Sequence, residues 1–128
     1  MAGKVVTILL IAVGLLNLYP VIGVLSAEHV AGLYGIDIES PDLETLMRHR
    51  AVMLGLLGGF MILSAFRPSL QLIAASIGLV SMLSFVVLAF ISGEVGAEVN
   101  RVVVADVVGS IAIVFVLIIN ARQWRTAA

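Results

Sequence analysis

Four long apolar runs constrain this chain more than any other feature of it. The first, Val5 to Ser26, is 22 residues without a charge and follows the lone cation Lys4. The second covers about residues 46–66, the third Leu70–Ile91 and the fourth Val102–Asn120. A helix crosses the hydrocarbon core of a bilayer in about 20 apolar residues, so each run is long enough to span. Only 12% of the residues are charged and 62% are apolar, whereas water-soluble domains carry about 25% charge. A surface this poor in charge must face lipid for most of its area. The chain of 128 residues is filled by these spans and their connections, which predicts a single membrane domain over residues 1–128.

Local signals set the limits of the spans. Ser40 can cap a helix that opens on Pro41, with Asp42 and Glu44 in its electropositive first turn. That helix should run to about Phe66, its first two turns standing in water. Arg67, Pro68 and Ser69 break it and the third run begins at once, so the second and third spans should form a tight antiparallel hairpin. Ser92 and Gly93 end the third. Residues 27–45 form the external loop, whose Ala27–Glu39 stretch is the one long connection, with Gly32 and Gly35 as turn points. The prediction is an all-α membrane protein, a four-transmembrane-helix antiparallel bundle.

Charge assigns the two ends. Lys4, Arg67, Arg122 and Arg125 fall on one side of a four-span arrangement with no acid among them. The other side carries Glu28, Asp37, Glu39, Asp42, Glu44, Glu94 and Glu98. The positive-inside rule then puts both termini in the cytoplasm. A cleaved signal peptide ending near Leu25-Ser26-Ala27 is the competing reading of the first run. Its apolar stretch is much longer than the roughly 7 to 15 residues of a signal sequence, which favours a retained span.

Small residues at four-residue spacing mark faces where helices approach closely. Ala51, Gly55 and Gly59 form such a series on the second span, Ala74 and Gly78 on the third, and Ala105 and Gly109 on the fourth. Packing within the bundle is the plain use of these stripes, and a homodimer face is the other. Pro20 removes a helix bond to the Leu16 carbonyl and predicts a kink near Asn17. Asn17 should face the bundle as a structural amide, while Tyr19, about 200° round the helix, should face outward.

The polar residues inside the spans gather near the outer side. Arg48, His49, Arg50, Arg101 and Asp106, with Asn17, make up a candidate intramembrane cluster. Arg50 and Asp106 should lie at similar depth, where an unpaired charge is expensive, so a direct ion pair is expected, with Arg48 as the reserve partner. Arg48 and Arg101 are shallow enough to snorkel. His49 has the ordinary reading of an interfacial residue, against a titrating or anion-binding one. No histidine or acid spacing suggests a metal site, no cofactor is evident, and without cysteine there are no thiolate ligands or nucleophiles. Near-neutral charge, −1 overall, gives no footprint for nucleic acid. The GxSxG, phosphate-loop, HExxH and dinucleotide motifs are absent. A nucleotidyltransferase of the phosphopantetheine adenylyltransferase type would need HxGH after a strand. The nearest approach here is His29-Val30-Ala31-Gly32, so that activity is not supported and no catalytic constellation is present.

Several of these features together resemble a known group. They are the four short spans, Leu33-Tyr34-Gly35-Ile36 in the first outer loop, Arg50 opening a second span with Gly55, Gly58 and Gly59, and Arg101 with Asp106 at the start of the fourth. In these the chain resembles the small bacterial membrane proteins of the DoxX-like superfamily over nearly its whole length. Some members of that superfamily are associated with quinone-linked oxidation of sulfur compounds. The resemblance implies a multi-pass protein of the bacterial inner membrane, binding a small ligand or accessory to a quinone-dependent redox partner. Two other functions fit the residues: a subunit of an oligomeric small transporter or proton-conducting pore, and a structural or assembly factor. The bilayer is the one partner the composition demands, and a homo-oligomer or a membrane redox partner is the further expectation.

Overall fold

The computed structural model describes the backbone of residues 1–127 and the side chains of residues 1–123. Arg125, assigned above to the inner end, lies outside the described side chains. Regular structure among the described residues is entirely helical. Helix α1 (Ala2–Leu18) continues as a 3₁₀ segment (Tyr19–Val24) and is followed by the short helix α2 (Ala27–Tyr34), then α3 (Pro41–Ala65), α4 (Pro68–Ser92) and α5 (Ala97–Ala127). Four stretches are long and apolar enough to cross a membrane: Ala2–Val24, Pro41–Ala65, Pro68–Ser92 and Ala97–Gln123. A 25-residue helix is about 37 Å long, enough to cross a core of about 30 Å.

Helix limits follow the local chemistry. The Ser40 hydroxyl accepts from the Leu43 N–H at 3.2 Å, and Pro41 opens α3 with Asp42 and Glu44 in the first turn. The α3–α4 turn is only Phe66 and Arg67 before Pro68 starts the next helix. Gly93 closes α4 at φ +93°, a backbone conformation that glycine alone adopts without strain. Helix α5 begins five residues before the apolar run that predicts it, because Ala97 to Arg101 form a polar turn above that run. At Pro20, which has no N–H to donate, the α-helix gives way to 3₁₀ geometry from Tyr19 onward.

The expected external loop is partly helical. Helix α2 is capped by Ser26, whose hydroxyl accepts from the His29 N–H at 3.3 Å, and ends at Gly35 in the left-handed conformation (φ +61°). Gly32, read from the sequence as a turn point, lies inside α2. Glycine is permitted in a helix, and here the capping serine and Gly35 decide the limits.

The four long helices form a ring in which α1 and α4 each pack against α3 and α5. Leu10, Met61, Met82, Ile113 and Val116 fill the middle of the bundle and its half toward the termini, each at most 1% exposed. The closest approach is between α1 and α3. A Cβ added at Gly58 would lie 2.5 Å from the Gly14 carbonyl oxygen and 2.8 Å from the Leu18 nitrogen. Gly55 sits against Val21 one turn nearer the α2 end of the bundle, and Ala51 is buried on the same face. Gly59 does not belong to this stripe: it has nothing within 4 Å of where its Cβ would be. One residue turns a helix by about 100°, so with Gly58 against α1, Gly59 points out of the bundle. Gly78 receives Met61, Gly109 receives Met82 and Leu16, and Ala74 is fully buried. Ala105 is half-buried and lines a cavity instead of sealing a helix contact.

Candidate functional site

On the α2 side of the level where Gly109 meets Leu16 and Val13, α1, α3 and α5 enclose space instead of packed side chains. The result is a cavity of about 730 Å³, within the usual range of small-ligand sites. Its walls are mainly apolar, with Leu16 and Pro20 from the first span, Leu54 from α3 and Val102 and Ala105 from α5. Leu33 and Tyr34 bring α2 to it as a cover.

The cover is fixed at three points. Val30, 1% exposed, packs on Gly23 of the 3₁₀ segment, where a Cβ would lie 2.9 Å from the Val30 methyl. Gly35, at the other end of α2, sits against the Glu98 side chain of α5. Tyr34 is buried and meets Arg50 of α3, whose guanidinium carbon lies 5.1 Å from the Tyr34 ring centroid. The same carbon lies 4.5 Å from the Phe85 centroid on α4. Both distances fall within the range of cation–π attraction. Burial pushes the Tyr34 phenol above its ordinary pKa, with the nearby Arg50 charge opposing, so the phenol is neutral at physiological pH and keeps its hydroxyl proton.

Asp106 lines the same cavity from α5. It shares the site with Arg50 but no salt bridge joins the two, whereas Arg48 pairs with Glu44 at 3.1 Å and Arg101 with Glu98 at 2.8 Å. The expected Arg50–Asp106 pair is therefore corrected. Depth placed both residues at one level, but Arg50 is engaged by two aromatic rings and the cavity stands between the helices that carry the charges. Arg48, the reserve partner, is also committed elsewhere: its Nε donates to the Val24 carbonyl at 2.9 Å, tying α3 to the end of the 3₁₀ segment. Arg101 is exposed and stands at the rim with Glu98.

The remaining cluster members divide. His49 is exposed and does not line the cavity, whereas His29, from α2, does, with its Nδ1 2.6 Å from the Ser26 hydroxyl. Asn17 is 5% exposed, as expected of a bundle-facing amide, and also borders the cavity. Its Nδ2 donates to the Val13 carbonyl at 2.9 Å, not to the Leu16 carbonyl released by Pro20. Tyr19 is 63% exposed, so it faces outward. Tyr34 and Phe85 are site residues to which sequence reasoning assigns no role. Tyr34 lay in the loop segment singled out above, and Phe85 is one of many apolar residues in its span. No group of three or more His, Cys, Asp or Glu able to hold a metal occurs among the described residues.

The site is thus an apolar-walled chamber that holds Arg50, Asp106 and the neutral Tyr34 phenol, with Asn17 and His29 beside them and the Arg101–Glu98 pair at the rim. It has the means to bind and orient a polar head. The Ser26 hydroxyl that bonds the His29 ring also accepts from the His29 N–H as the cap of α2, and Ser26 does not line the cavity. Compared with family models, with curated proteins and with solved structures, the chain matches none.

Proposed function

We propose that this chain is a multi-pass protein of the bacterial inner membrane that binds a small amphiphile in the covered cavity, in the service of a quinone-dependent redox partner. One observation carries the binding part: the joining of apolar walls to Arg50, Asp106 and Tyr34 in a single chamber of about 730 Å³. An amphiphile places its chain along such walls and its head among such polar groups. The redox setting rests on the resemblance to the DoxX-like superfamily, to which we assign the chain as part of the same proposal. Conduction through one bundle is the weaker reading, because Leu10, Met61, Ile113 and Val116 close the inner half beneath the cavity.

The orientation belongs to this proposal. Helix order brings Lys4, Arg67 and Arg122 to the end opposite the cavity, and the positive-inside rule places that end in the cytoplasm. The cavity then lies in the outer leaflet. Reporter fusions after Glu39 and Glu98 should read as external, and fusions after Arg67 and Arg125 as cytoplasmic; an external C-terminus overturns the orientation. For the binding reading, the protein is purified in mild detergent and its organic extract analysed by mass spectrometry. A quinone or another amphiphile present near one per chain is the expected result. A protein that binds no amphiphile, whether co-purified or added, contradicts it.

A further inference from the structure

We propose that the head this cavity recognises is zwitterionic, an anionic group and a primary ammonium a few atoms apart on one apolar chain, with the anion on Arg50 and the ammonium on Asp106. The inference rests on the binding reading above and adds the ligand's chemical class.

Around the outer end of the bundle, Arg48 is neutralised by Glu44 and Arg101 by Glu98, each within its own helix. Arg50 and Asp106 are treated differently. Both are half-buried, both line the cavity, and neither has an ion-pair partner within 4.0 Å among the described residues. Charges at such a depth are stable only when paired or when they line a cavity that supplies a partner. Here they stand on different helices, α3 and α5, and both line the chamber.

Each simpler head satisfies half of the site. A purely anionic head is held by Arg50 and repelled by Asp106, and a cationic head meets the reverse. A neutral carbonyl head accepts from the Arg50 N–H donors and the Tyr34 hydroxyl but leaves Asp106 without a cation. A zwitterion completes both charges and adds none. The ring faces of Tyr34 and Phe85 attract the guanidinium and the Tyr34 hydroxyl engages part of it, which leaves its remaining N–H donors for an oxyanion.

The apolar walls show that the head is attached to a chain. A free zwitterion leaves Leu16, Pro20, Leu33, Leu54 and Val102 facing empty space, whereas an acyl chain covers them. Leu16 and Ile22 line the cavity and are 36% and 48% exposed, apolar surface that an acyl chain would cover.

The test uses the full-length protein in detergent and measures binding by native mass spectrometry and calorimetric titration. The probes are short-chain phosphatidylethanolamine, the N-acetylated form of the same lipid, short-chain phosphatidylglycerol, free phosphoethanolamine and a short-chain quinone. Phosphatidylethanolamine should bind tightest, by about tenfold or about 1.4 kcal/mol over its N-acetylated form, which removes the ammonium without altering the protein. Asp106→Asn should erase that preference, Asp106→Glu should keep it, and Arg50→Gln should weaken both phosphatidylethanolamine and phosphatidylglycerol. Equal binding of the acetylated and free-amine lipids overturns the inference, as does free phosphoethanolamine binding as tightly as the lipid. Quinone binding without preference among the lipids overturns it while leaving the proposed function standing. Failure of every amphiphile to bind removes both.

Discussion

At the scale of single residues, two adjacent glycines separate packing from mere spacing. Gly58 has the α1 backbone where its side chain would be, whereas Gly59 has nothing within 4 Å. Gly58→Ala should therefore destabilise by about 1 to 3 kcal/mol, the usual result of overpacking, because backbone must move to admit the methyl. Gly59→Ala should leave the thermal midpoint in detergent unchanged or slightly higher, since alanine is the better helix former. Equal effects at both positions would mean that α1 and α3 do not meet at Gly58. Arg50 offers a second residue-level check. A double-mutant cycle of Arg50→Gln with Phe85→Leu should show coupling of about 0.5 to 2 kcal/mol, as expected of a partly desolvated cation–π contact. Losses that simply add would show that the guanidinium and the ring are not in contact.

At the scale of elements, the long helices were legible in the sequence because their limits are set locally. Ser40 with Pro41, the Arg67-Pro68 break and Gly93 act through hydrogen bonds and backbone restrictions within a few residues. Helix α2 was not read, because a search for apolar runs passes over an eight-residue helix with a mixed surface. Its marks were present in Ser26, in Glu28 in the first turn and in Gly35 at the end. What was not legible is what the neighbouring helix decides. The spacing Gly55–Gly59 and the pair Gly55 with Gly58 describe faces that differ by about 100°, and only the position of α1 selects between them. Likewise, depth matched Arg50 to Asp106, but Tyr34 and Phe85 reach Arg50 from elements distant in sequence. A helix as short as α2 is marginal by itself, so its stability comes from its caps and from docking. Ser26→Ala should weaken α2 by about 1 kcal/mol, and Gly35→Ala by about 1 to 2 kcal/mol, because alanine is strained at φ +61°. Amide exchange in residues 27–34 should accelerate several-fold in both variants while the middle of α4 stays protected. Unchanged exchange in α2 would show that these caps do not hold the cover.

At the scale of the whole molecule, the bundle is asymmetric along its axis. The half toward the two termini is closed by fully buried side chains, and the opposite half holds a chamber under α2. The two close helix contacts at Gly58 and Gly109 lie below the chamber and fix the floor, so the outer ends are free to stand apart. The central claim is that this chamber holds an amphiphile. Ala105 lines it without carrying charge, so Ala105→Trp fills the space and leaves Arg50, Asp106 and Tyr34 in place. The decisive measurement compares native mass spectra of the wild type and this variant after identical purification, with thermal unfolding recorded for both and Ala105→Leu as the milder filling. The wild type should carry an amphiphile adduct near one per chain, and the filled variants should lose it while unfolding at a similar temperature. An adduct equally abundant in wild type and in a folded Ala105→Trp protein would contradict the claim, because the amphiphile would then sit outside the cavity.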